Sequence, residues 1–511
     1  GLGGWMEGAT LFPTNMAIAA TGNDNYAYKQ GQITAKEAKA IGVHMVFAPV
    51  LDINNNPENP IINFRSYSDD KKIVSKFGSA FIKGIQDGGL YACAKHYPGH
   101  GNTSVDSHTS LPKISGDYSY LADNELFPFK HAVDNGVKMI MVGHIAMPGI
   151  DSSGVPATYS SIITEDIIRK RWGYNGLLIT DALEMGALSE IAWAGESAIR
   201  AVEAGADILL LPSDVKNTIK SIVDAVKSGR LSEERIDESV KRIIKAKIEL
   251  GLYDAKTKAT WENVTKEIGT TNHRKTANEI ARRSITLVKD SGTIPLKAEN
   301  IDSLTHIVMS TDDDVRSMLK RFIRDVRVTH THLNEIFIND KLTNLGIQDA
   351  LDRAAGSSHI IISLLVRIRM DKGISTIDDS HATLIRELHK LNIPVTVVSF
   401  GSPYLPSYDY IDTYLCAYGY GSVSQAAAAD AIWGRSRIGG KLPIKLSEMI
   451  KKENGINRDR FKSGFIVNDT PIDMGSAWSI IEEAISNQIF PGAQVFVSKD
   501  KRIIASRGFG K

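Results

Sequence analysis

The chain has 511 residues, of which 42% are hydrophobic and 23% are charged, so it is long enough for several globular domains. Lysine and arginine number 60 against 59 aspartate and glutamate, and this net charge of +1 favours no polyanionic partner such as nucleic acid. No segment is long and apolar enough to span a bilayer. The two cysteines, Cys93 and Cys416, lie in separate apolar runs, which favours buried free thiols over a disulfide.

Residues 1–255 repeat one pattern, in which an apolar run ends in polar residues and a helical segment follows. This alternation predicts a parallel sheet covered by helices. A (β/α)8 barrel and a doubly wound open sheet both fit it, and both bind ligands at the carboxyl ends of their strands. The five apolar runs are residues 44–54, 90–99, 138–149, 176–185 and 206–214.

A polar stretch, residues 256–273, predicts a linker before a second α/β region at residues 274–447. The second region has four apolar runs separated by helical segments, which predicts a smaller sandwich of sheet and helices. The runs are residues 303–310, 358–368, 393–403 and 412–419.

A second linker is predicted at residues 448–472, before a short last piece at residues 473–511. Its spacing predicts one helix, with Ser476 as the N-cap, and one β-hairpin that turns near Lys499. One helix and one hairpin bury little core by themselves, so we expect this piece to be the start of a further domain.

The segment KHYPGHGNTSVDSHTSLP, which follows the second apolar run, is the most informative one for chemistry. Lys95 and His96 end the strand and point into the expected cleft, while Asp106 and His108 are close enough in the loop to approach one another. A histidine titrates near neutral pH and an adjacent carboxylate orients its ring, so such a pair suits proton donation to a leaving group.

Two other interpretations of this loop remain open. His108 fits an ordinary surface-loop histidine, and His96, His100 and His108 are close enough in sequence to suggest a metal site. Their spacing matches no usual zinc pattern, and no carboxylate or cysteine set completes one.

Asp181 ends the buried run GLLITDALEM and begins the next helical segment. A carboxylate at that position can attack an anomeric carbon and form a covalent glycosyl-enzyme. The competing interpretation is an N-cap aspartate, and for the isolated motif the cap is the commoner case.

Four further residues lie at or near the other strand ends. Asp52 is expected to fix the Asn- and Pro-rich loop that follows it, and Arg65 in this loop could bind sugar hydroxyls or support a carboxylate. His144 and Met147 in VGHIAMPG are predicted to line the pocket wall, although a core role for either is an equal alternative.

Taken together, these segments resemble glycoside hydrolase family 3, and within it the β-N-acetylglucosaminidase branch. The branch pattern Lys-His-Phe-Pro-Gly-His-Gly-Asp-Thr followed by Asp-Ser-His appears here as KHYPGHGNT followed by DSH, with Tyr97 and Asn102 as departures. The nucleophile motif appears as LLITDALEM and the Arg-Ser-Phe/Tyr motif as RSY at Arg65. The resemblance covers about residues 1–446 and implies a TIM-like barrel followed by an α/β sandwich.

The resemblance also implies roles for these residues. Asp181 would be the nucleophile and His108 the acid/base with Asp106 as its partner, while Lys95, His96 and Arg65 would bind the sugar in the −1 subsite. No cofactor and no metal is implied. The expected activity is retaining exo-hydrolysis of terminal β-linked N-acetylglucosamine, typically from peptidoglycan fragments and sometimes from chitin oligosaccharides.

Both ends of the sequence bear on this expectation. In the family an Asp-x-Glu-Gly-like segment ends the first barrel strand, and the chain opens at what corresponds to the next residues, so that strand and its aspartate are expected to be missing. Residues 473–511 resemble the opening of a serine β-lactamase-like domain. The required Ser-x-x-Lys helix is absent, since SDDK at Ser68 and SDVK at Ser213 are chance matches in the barrel. We therefore assign no β-lactamase chemistry.

Several alternatives stay open at this point. A family 3 β-glucosidase is one and a phosphorylase is another, because a histidine acid/base tolerates an incoming phosphate better than a carboxylate does. A non-catalytic sugar-binding protein would also have two α/β domains. The first residues have neither the basic start nor the apolar core of a signal peptide. The substrate type suggests the periplasm or cell envelope, although cytoplasmic recycling enzymes share these motifs.

Overall fold

The structure is a computed structural model that forms two compact units. Unit 1 comprises Gly1–Ile280, Ile368–Ser375 and Pro443–Lys445, and unit 2 comprises Ala281–Arg367, Thr376–Leu442 and Leu446–Lys511. The division therefore falls after the predicted linker at 256–273, and the predicted last piece at 473–511 belongs to unit 2. The structure describes residues 2–105, 107, 110–189, 191–253, 259–311, 314–330, 332–369, 373–461, 465–467, 470–472, 474–499 and 502–510.

Unit 1 is built on a parallel sheet whose strands follow one another in chain order. The strands are β1 Met45–Val46, β2 Tyr91–Tyr97, β3 Met139–Val142 and β4 Leu177–Thr180. Four of the five predicted runs contain a strand. The fifth, 206–214, contributes only a bridge between Ile208 and Ile179, and its chain turns away at Leu211, which has φ of 44°. The predicted parallel sheet is confirmed.

The two faces of this sheet are both covered, as expected for strands that are apolar on both sides. Alternate side chains, such as Ala92, Ile140 and Leu178, join the main core of the unit. The intervening side chains, such as Cys93 and Met141, form a second cluster with residues of a later helix, including Ala246. Both faces are thus sealed from water, and polar chemistry is left to the strand ends.

Helices follow the strands of unit 1, and their sequences explain where they begin. Asp70 caps its helix by accepting hydrogen bonds from Lys72 N and Ile73 N, and Asp214 and Ser232 cap theirs in the same way. The helices are α1 Asn15–Ala20, α2 Asn25–Ala40, α3 Lys71–Asp87, α4 Tyr118–Asp123, α5 Phe127–Asp134, α6 Gly186–Ser189, α7 Ala194–Ala204, α8 Val215–Lys227, α9 Glu233–Glu249, α10 Trp261–Glu267 and α11 Thr271–Ser284, together with short 3₁₀ turns at Leu2–Gly4, Asn63–Arg65 and Ala157–Tyr159 and a π-helix at Ile162–Arg171.

Unit 2 contains a six-stranded sheet in the order β5-β10-β9-β8-β6-β7, in which β5 is antiparallel to β10 and the other pairs are parallel. The strands are β5 Thr286–Lys289, β6 Leu304–Met309, β7 Leu333–Ile338, β8 His359–Val366, β9 Val395–Gly401 and β10 Thr413–Cys416. The helices are α12 Val315–Met318, α13 Lys320–Thr329, α14 Asn344–Ala354, α15 Asp379–His389 and α16 Ser422–Ile432, with a 3₁₀ turn at Ala298–Asn300. The four predicted strands are present, and β5 and β7 were not predicted.

The last part of the chain forms two hairpins and a helix. They are β11 Phe465–Val467 with β12 Thr470–Ile472, α17 Gly475–Ser486, and β13 Gly492–Lys499 with β14 Arg502–Gly510. The predicted helix and terminal hairpin are confirmed. The N-cap prediction is wrong, because Met474 O already accepts from Trp478 N and Ser476 lies within the first turn.

Two other predictions can be compared with the described residues. Cys93 and Cys416 are both buried free thiols, as predicted. No helix in the described part of the chain is long and apolar enough to cross a membrane.

Candidate active site

Three strand ends of unit 1 meet at one edge because the strands are parallel and in register. Tyr97 in β2 lies opposite Val142 in β3, which lies opposite Thr180 in β4. The next residues continue the ladder, since Gly143 N donates to Tyr97 O at 2.7 Å and Asp181 N donates to Val142 O at 2.8 Å. The polar residues at these ends are thereby brought to the same edge of the sheet.

Asp181 stands at the end of β4 and is partly buried. Its Oδ1 accepts a hydrogen bond from Ala182 N at 2.9 Å. Burial alone would raise the pKa of this carboxyl, but nearby His96 and His144, the Ala182 amide and Lys95 together lower it below its ordinary value. The carboxylate is therefore ionised at neutral pH, as a nucleophile must be.

Lys95 places a cation near this carboxylate, and Arg65 is a second cation close enough to Lys95 to act on its charge. Burial, reinforced by the charge of Arg65, lowers the pKa of the Lys95 ammonium, while Asp181 and Asp52 act in the opposite direction. Arg65 is anchored by its own turn, since Nη1 donates to Ile61 O at 2.8 Å and Arg65 O accepts from Asn15 Nδ2 at 2.8 Å. The positive charges of Lys95 and Arg65 repel each other, so this edge of the sheet is well suited to anionic or oxygen-rich ligands.

Asp52 holds the turn that follows β2. This carboxylate has no exposed surface and accepts hydrogen bonds from His96 Nδ1 at 2.8 Å, from His96 N at 3.3 Å and from His100 N at 2.7 Å. Burial opposes its charge, but the charge and hydrogen bond of His96 and the backbone N–H of His100 outweigh burial and lower the pKa of Asp52. The Asp52 carboxylate therefore holds the histidine loop, whereas the sequence predicted that Asp52 fixes the Asn- and Pro-rich loop that follows it.

The described residues of the histidine loop, 96–105 and 107, are held by hydrogen bonds from the Asn-rich loop. Asn59 has no exposed surface, and its Nδ2 donates to His100 O at 2.8 Å and to Gly101 O at 2.9 Å. A Cβ at Gly101 would fall 1.6 Å from Ile53 O, so only glycine fits there. Asp106 and His108, the predicted acid/base pair, lie outside the described residues.

His144 and Met147 lie deeper than the strand ends. His144 is bonded within the protein at both ring nitrogens, through Nδ1 to Thr158 Oγ1 at 2.7 Å and through Nε2 to Ala182 O at 2.9 Å. A carbonyl can only accept, so Nε2 carries a proton. Met147 has no exposed surface and belongs to the main core. Their predicted contact with a sugar stays a prediction.

The ring nitrogens of the loop histidines also bear on the metal alternative. His96 uses Nδ1 for Asp52, and His100 uses Nδ1 for Thr103 and Nε2 for Ser107. Within the described ranges, no three histidine, cysteine or carboxylate groups are arranged to hold a metal ion.

Sequence reasoning missed the residues that organise this site. Asn59 bonds His100 across 41 residues of sequence, a contact that no local pattern reports, and His100 in turn bonds Ser107, seven residues further on. One sequence feature could have indicated this contact. If the Asn-Pro-Glu-Asn-Pro loop is buried, its asparagine amides need hydrogen-bond acceptors, and the backbone carbonyls of the glycine-rich histidine loop are suitable acceptors.

Comparisons with known proteins place this geometry in a family. The model of the glycosyl hydrolase family 3 N-terminal domain matches residues 1–246. β-Hexosaminidase A of Pseudoalteromonas piscicida is 34% identical over 326 residues, which cover 59% of this chain and 54% of the relative. A β-N-acetylglucosaminidase/β-glucosidase of Cellulomonas fimi is 31% identical over 304 residues, 58% of this chain and 54% of the relative. The chain thus spans about half the length of these curated relatives.

A solved structure extends the likeness to both units. A family 3 β-N-acetylglucosaminidase from Paenibacillus sp. FPU-7 superposes with a TM-score of 0.76 at 32% identity, covering 86% of this chain and 84% of that one. A match of this extent reaches beyond unit 1 into the second α/β unit. Through its sequence and its fold alike, the chain belongs to glycoside hydrolase family 3.

Proposed function

We propose that the chain is a retaining exo-β-N-acetylglucosaminidase that removes terminal β-linked N-acetylglucosamine from peptidoglycan fragments. The observation that carries the proposal is the ionised carboxylate of Asp181 at a strand end, beside Lys95 and His96 and at the same edge as a loop that contains Asp-Ser-His. The names of the relatives support the aminosugar specificity.

The first chemical step joins the sugar to the enzyme. Asp181 attacks the anomeric carbon with one carboxylate oxygen as the bond to the leaving oxygen breaks, and His108 gives its proton to that oxygen. Asp106 orients the His108 ring and stabilises the imidazolium before transfer. The products of this step are the departed alcohol, a glycosyl ester on Asp181 and a neutral His108.

The second step returns the enzyme to its starting state. Neutral His108 takes a proton from a water molecule, whose oxygen attacks the anomeric carbon and displaces Asp181. Two inversions at that carbon give net retention. Arg65, Lys95 and His96 hold the sugar hydroxyls throughout, as donors whose geometry is fixed by Ile61, the β2 backbone and Asp52.

Three finer points belong to the same proposal. The parallel sheet of unit 1 is part of a (β/α)8-like barrel, and residues 473–511 are related to β-lactamase-like domains. The enzyme works in the periplasm or cell envelope, where peptidoglycan fragments arise. Cell fractionation of the source organism with an antibody to the chain tests this location, and a wholly cytoplasmic pool would contradict it.

The test of the proposed function compares 4-nitrophenyl β-N-acetylglucosaminide with the matching β-glucoside and β-xyloside, with and without inorganic phosphate. We expect hydrolysis of the aminosugar substrate, with the β-anomer as first product by NMR. Preference for the glucoside would make the chain a β-glucosidase, and formation of sugar-1-phosphate would make it a phosphorylase. Sugar binding without turnover of any substrate would favour a non-catalytic binding protein.

A further inference from the structure

The buried ring of His100 bridges two hydroxyl groups of its own loop. Nδ1 lies 2.8 Å from Thr103 Oγ1, and Nε2 lies 3.0 Å from Ser107 Oγ. All three side chains are nearly fully buried, at 3% exposure each. The ring therefore closes the loop from residue 100 to residue 107 with no competition from water.

Thr103 joins the ring to the contacts made by Asn59. Its hydroxyl lies 3.1 Å from His100 O, to which it can donate, and 3.3 Å from Asn59 Nδ2, from which it can accept. A neutral imidazole has one N–H and one acceptor nitrogen, so the ring donates to one of the two hydroxyls, Thr103 or Ser107, and accepts from the other.

The backbone of His100 is as firmly fixed as its ring. His100 N donates to Asp52 Oδ1 at 2.7 Å, and His100 O accepts from Asn59 Nδ2 at 2.8 Å. Because Asp52 and Asn59 both have no exposed surface, these partners are themselves held by the core. His100 is therefore held in a fixed position, and its ring in turn holds the side chain of Ser107.

A second hydrogen bond, to its backbone, also holds Ser107 in place. Its carbonyl oxygen accepts from Ala187 N at 3.3 Å, in α6, which begins five residues after Asp181. In sequence, Ser107 stands between Asp106 and His108. Ser107, which the acid/base pair flanks in sequence, is therefore bonded to His100 through its side chain. Through its backbone it is bonded to the segment that follows Asp181.

We propose that His100 is a positioning residue for the Asp106–His108 pair and acts on it through the Ser107 hydroxyl. The inference rests on the proposed function, in which that pair moves the proton. Burial supports it by lowering the pKa of His100 to about 4, which keeps the ring neutral at neutral pH, with one donor and one acceptor nitrogen.

The test removes the Ser107 hydroxyl and compares leaving groups. Ser107→Ala loses the bond to Nε2 and little else. Ser79→Ala is the matched control, because Ser79 also bonds a histidine ring, His131 Nδ1 at 2.9 Å, on the outer helices α3 and α5. Both variants are assayed on dinitrophenyl, nitrophenyl and phenyl β-N-acetylglucosaminides, whose leaving groups need increasing help from an acid.

A misplaced proton donor affects poor leaving groups most. We expect Ser107→Ala to lower kcat/KM by about 10- to 100-fold on the phenyl glycoside, toward the loss of about 10²-fold or more expected when general acid catalysis fails, and by much less on the dinitrophenyl glycoside. Ser79→Ala should change neither. In a His108→Ala background, Ser107→Ala should add nothing further, since its effect passes through His108. An equal loss on all three substrates, or an additive loss with His108→Ala, would overturn the proposal.

Hydrogen–deuterium exchange supplies a readout that needs no turnover. Exchange of the peptide that contains residues 100–110 should be faster in Ser107→Ala and in His100→Asn than in wild type and Ser79→Ala, with thermal unfolding midpoints recorded alongside. Failure of the proposed function would appear as an inactive wild type, and the exchange data then decide the positioning role. Exchange that is unchanged in both loop variants would refute it.

Discussion

His100 in unit 1 and His306 in unit 2 are two buried histidines with closely similar surroundings and different consequences. Each bonds a serine hydroxyl through Nε2, His100 to Ser107 at 3.0 Å and His306 to Ser363 at 2.8 Å. Burial lowers the pKa of His100 to about 4 and that of His306 to about 3. Burial, a serine partner and a depressed pKa therefore do not by themselves mark a functional site.

The difference between the two lies in what the next residues do. His306 lies within β6, and its ring forms a hydrogen bond to Ser363 in β8. The ring centroid of Phe322 lies 5.7 Å from that of His306. The bond of His306 therefore stabilises the sheet. His100 lies on a loop beyond a strand end, and its bond fixes a residue between Asp106 and His108. In unit 1 the apolar strands end and charged residues begin at one shared edge of the sheet, and this edge is therefore the candidate site.

The largest effect is expected at Asp181, the charged end of β4. Asp181→Asn keeps the size of the side chain but removes the nucleophile, so kcat/KM should fall by about 10⁴- to 10⁶-fold. Steady-state hydrolysis of nitrophenyl β-N-acetylglucosaminide measures it. Asp134→Asn, at an exposed ion pair with Lys130, is the control and should retain full activity. Substantial activity in Asp181→Asn would remove the carboxylate from the mechanism.

The next largest effect is expected at His108. His108→Ala removes the proton donor and should lower kcat/KM by about two to four orders of magnitude. The basic limb of the pH–rate profile, which reports loss of the donated proton, should disappear with it. His131→Ala changes a histidine of the same unit on α5 and should leave both the rate and the profile intact. A profile that survives in His108→Ala would assign that limb to another group.

A smaller effect is expected at Asp52, and Asp207 is the matched buried carboxylate with which it is compared. Both carboxylates have no exposed side-chain surface, but Asp207 bonds Arg169 and Ser239 rather than the histidine loop. Asp52→Asn weakens the orientation of His96 and should lower kcat by about 10²-fold, as small misplacements do. Both variants should lower the free energy of unfolding, measured in urea. Equal losses of kcat in the two variants would make Asp52 a structural residue only.

The smallest effect concerns stability and tests the buried histidines of unit 2. The pKa is about 3 for His306 and about 4 for His359, below the value of about 6.5 in an unfolded chain. Below about pH 6.5 the unfolded chain binds protons that the folded chain does not, so the free energy of unfolding falls as the pH drops. Each histidine contributes up to about 1.4 kcal/mol per pH unit down to its folded pKa.

Removing one of these histidines should flatten that dependence. His306→Gln should reduce the slope of unfolding free energy against pH by about 1.4 kcal/mol per pH unit between about pH 6 and pH 4, in urea titrations. His332→Gln, at an exposed position in the same unit, should leave the slope as in wild type. An unaltered slope in His306→Gln would mean that this ring is charged in the folded protein.

Much of the architecture could be predicted because apolar runs report strands directly. The residues of β2 and β4 fell inside predicted runs, as did those of β6, β8 and β9. Strand β7 escaped prediction because LNEIFI carries Asn334 and Glu335. Strand β5, TLVK, was missed because it follows almost directly on α11, so that no separate apolar run marks it. The run at 206–214 was apolar enough for a strand, but its backbone turns at Leu211.

The site was predictable only in part. The strand-end residues Lys95, His96, His144 and Asp181 could be named, because parallel strands bring their ends together. The support of the site was not predictable in the same way. Asp52 was expected to fix only the loop that follows it, and Asn59 and His100 act through hydrogen bonds between segments that are far apart in sequence. Asparagine in a loop predicts a turn, and only the fold reveals which carbonyls its amide satisfies.

The central claim is that Asp181 forms a covalent bond with an N-acetylglucosaminyl group, and trapping that intermediate tests it most directly. A 5-fluoro-N-acetylglucosaminyl fluoride should react once per chain, raise the intact mass by one fluorinated sugar and label the peptide that contains residues 176–185 at Asp181. Asp181→Asn should take up no label. A label on another carboxylate, or hydrolysis of the substrate with inversion and no label, would contradict the account.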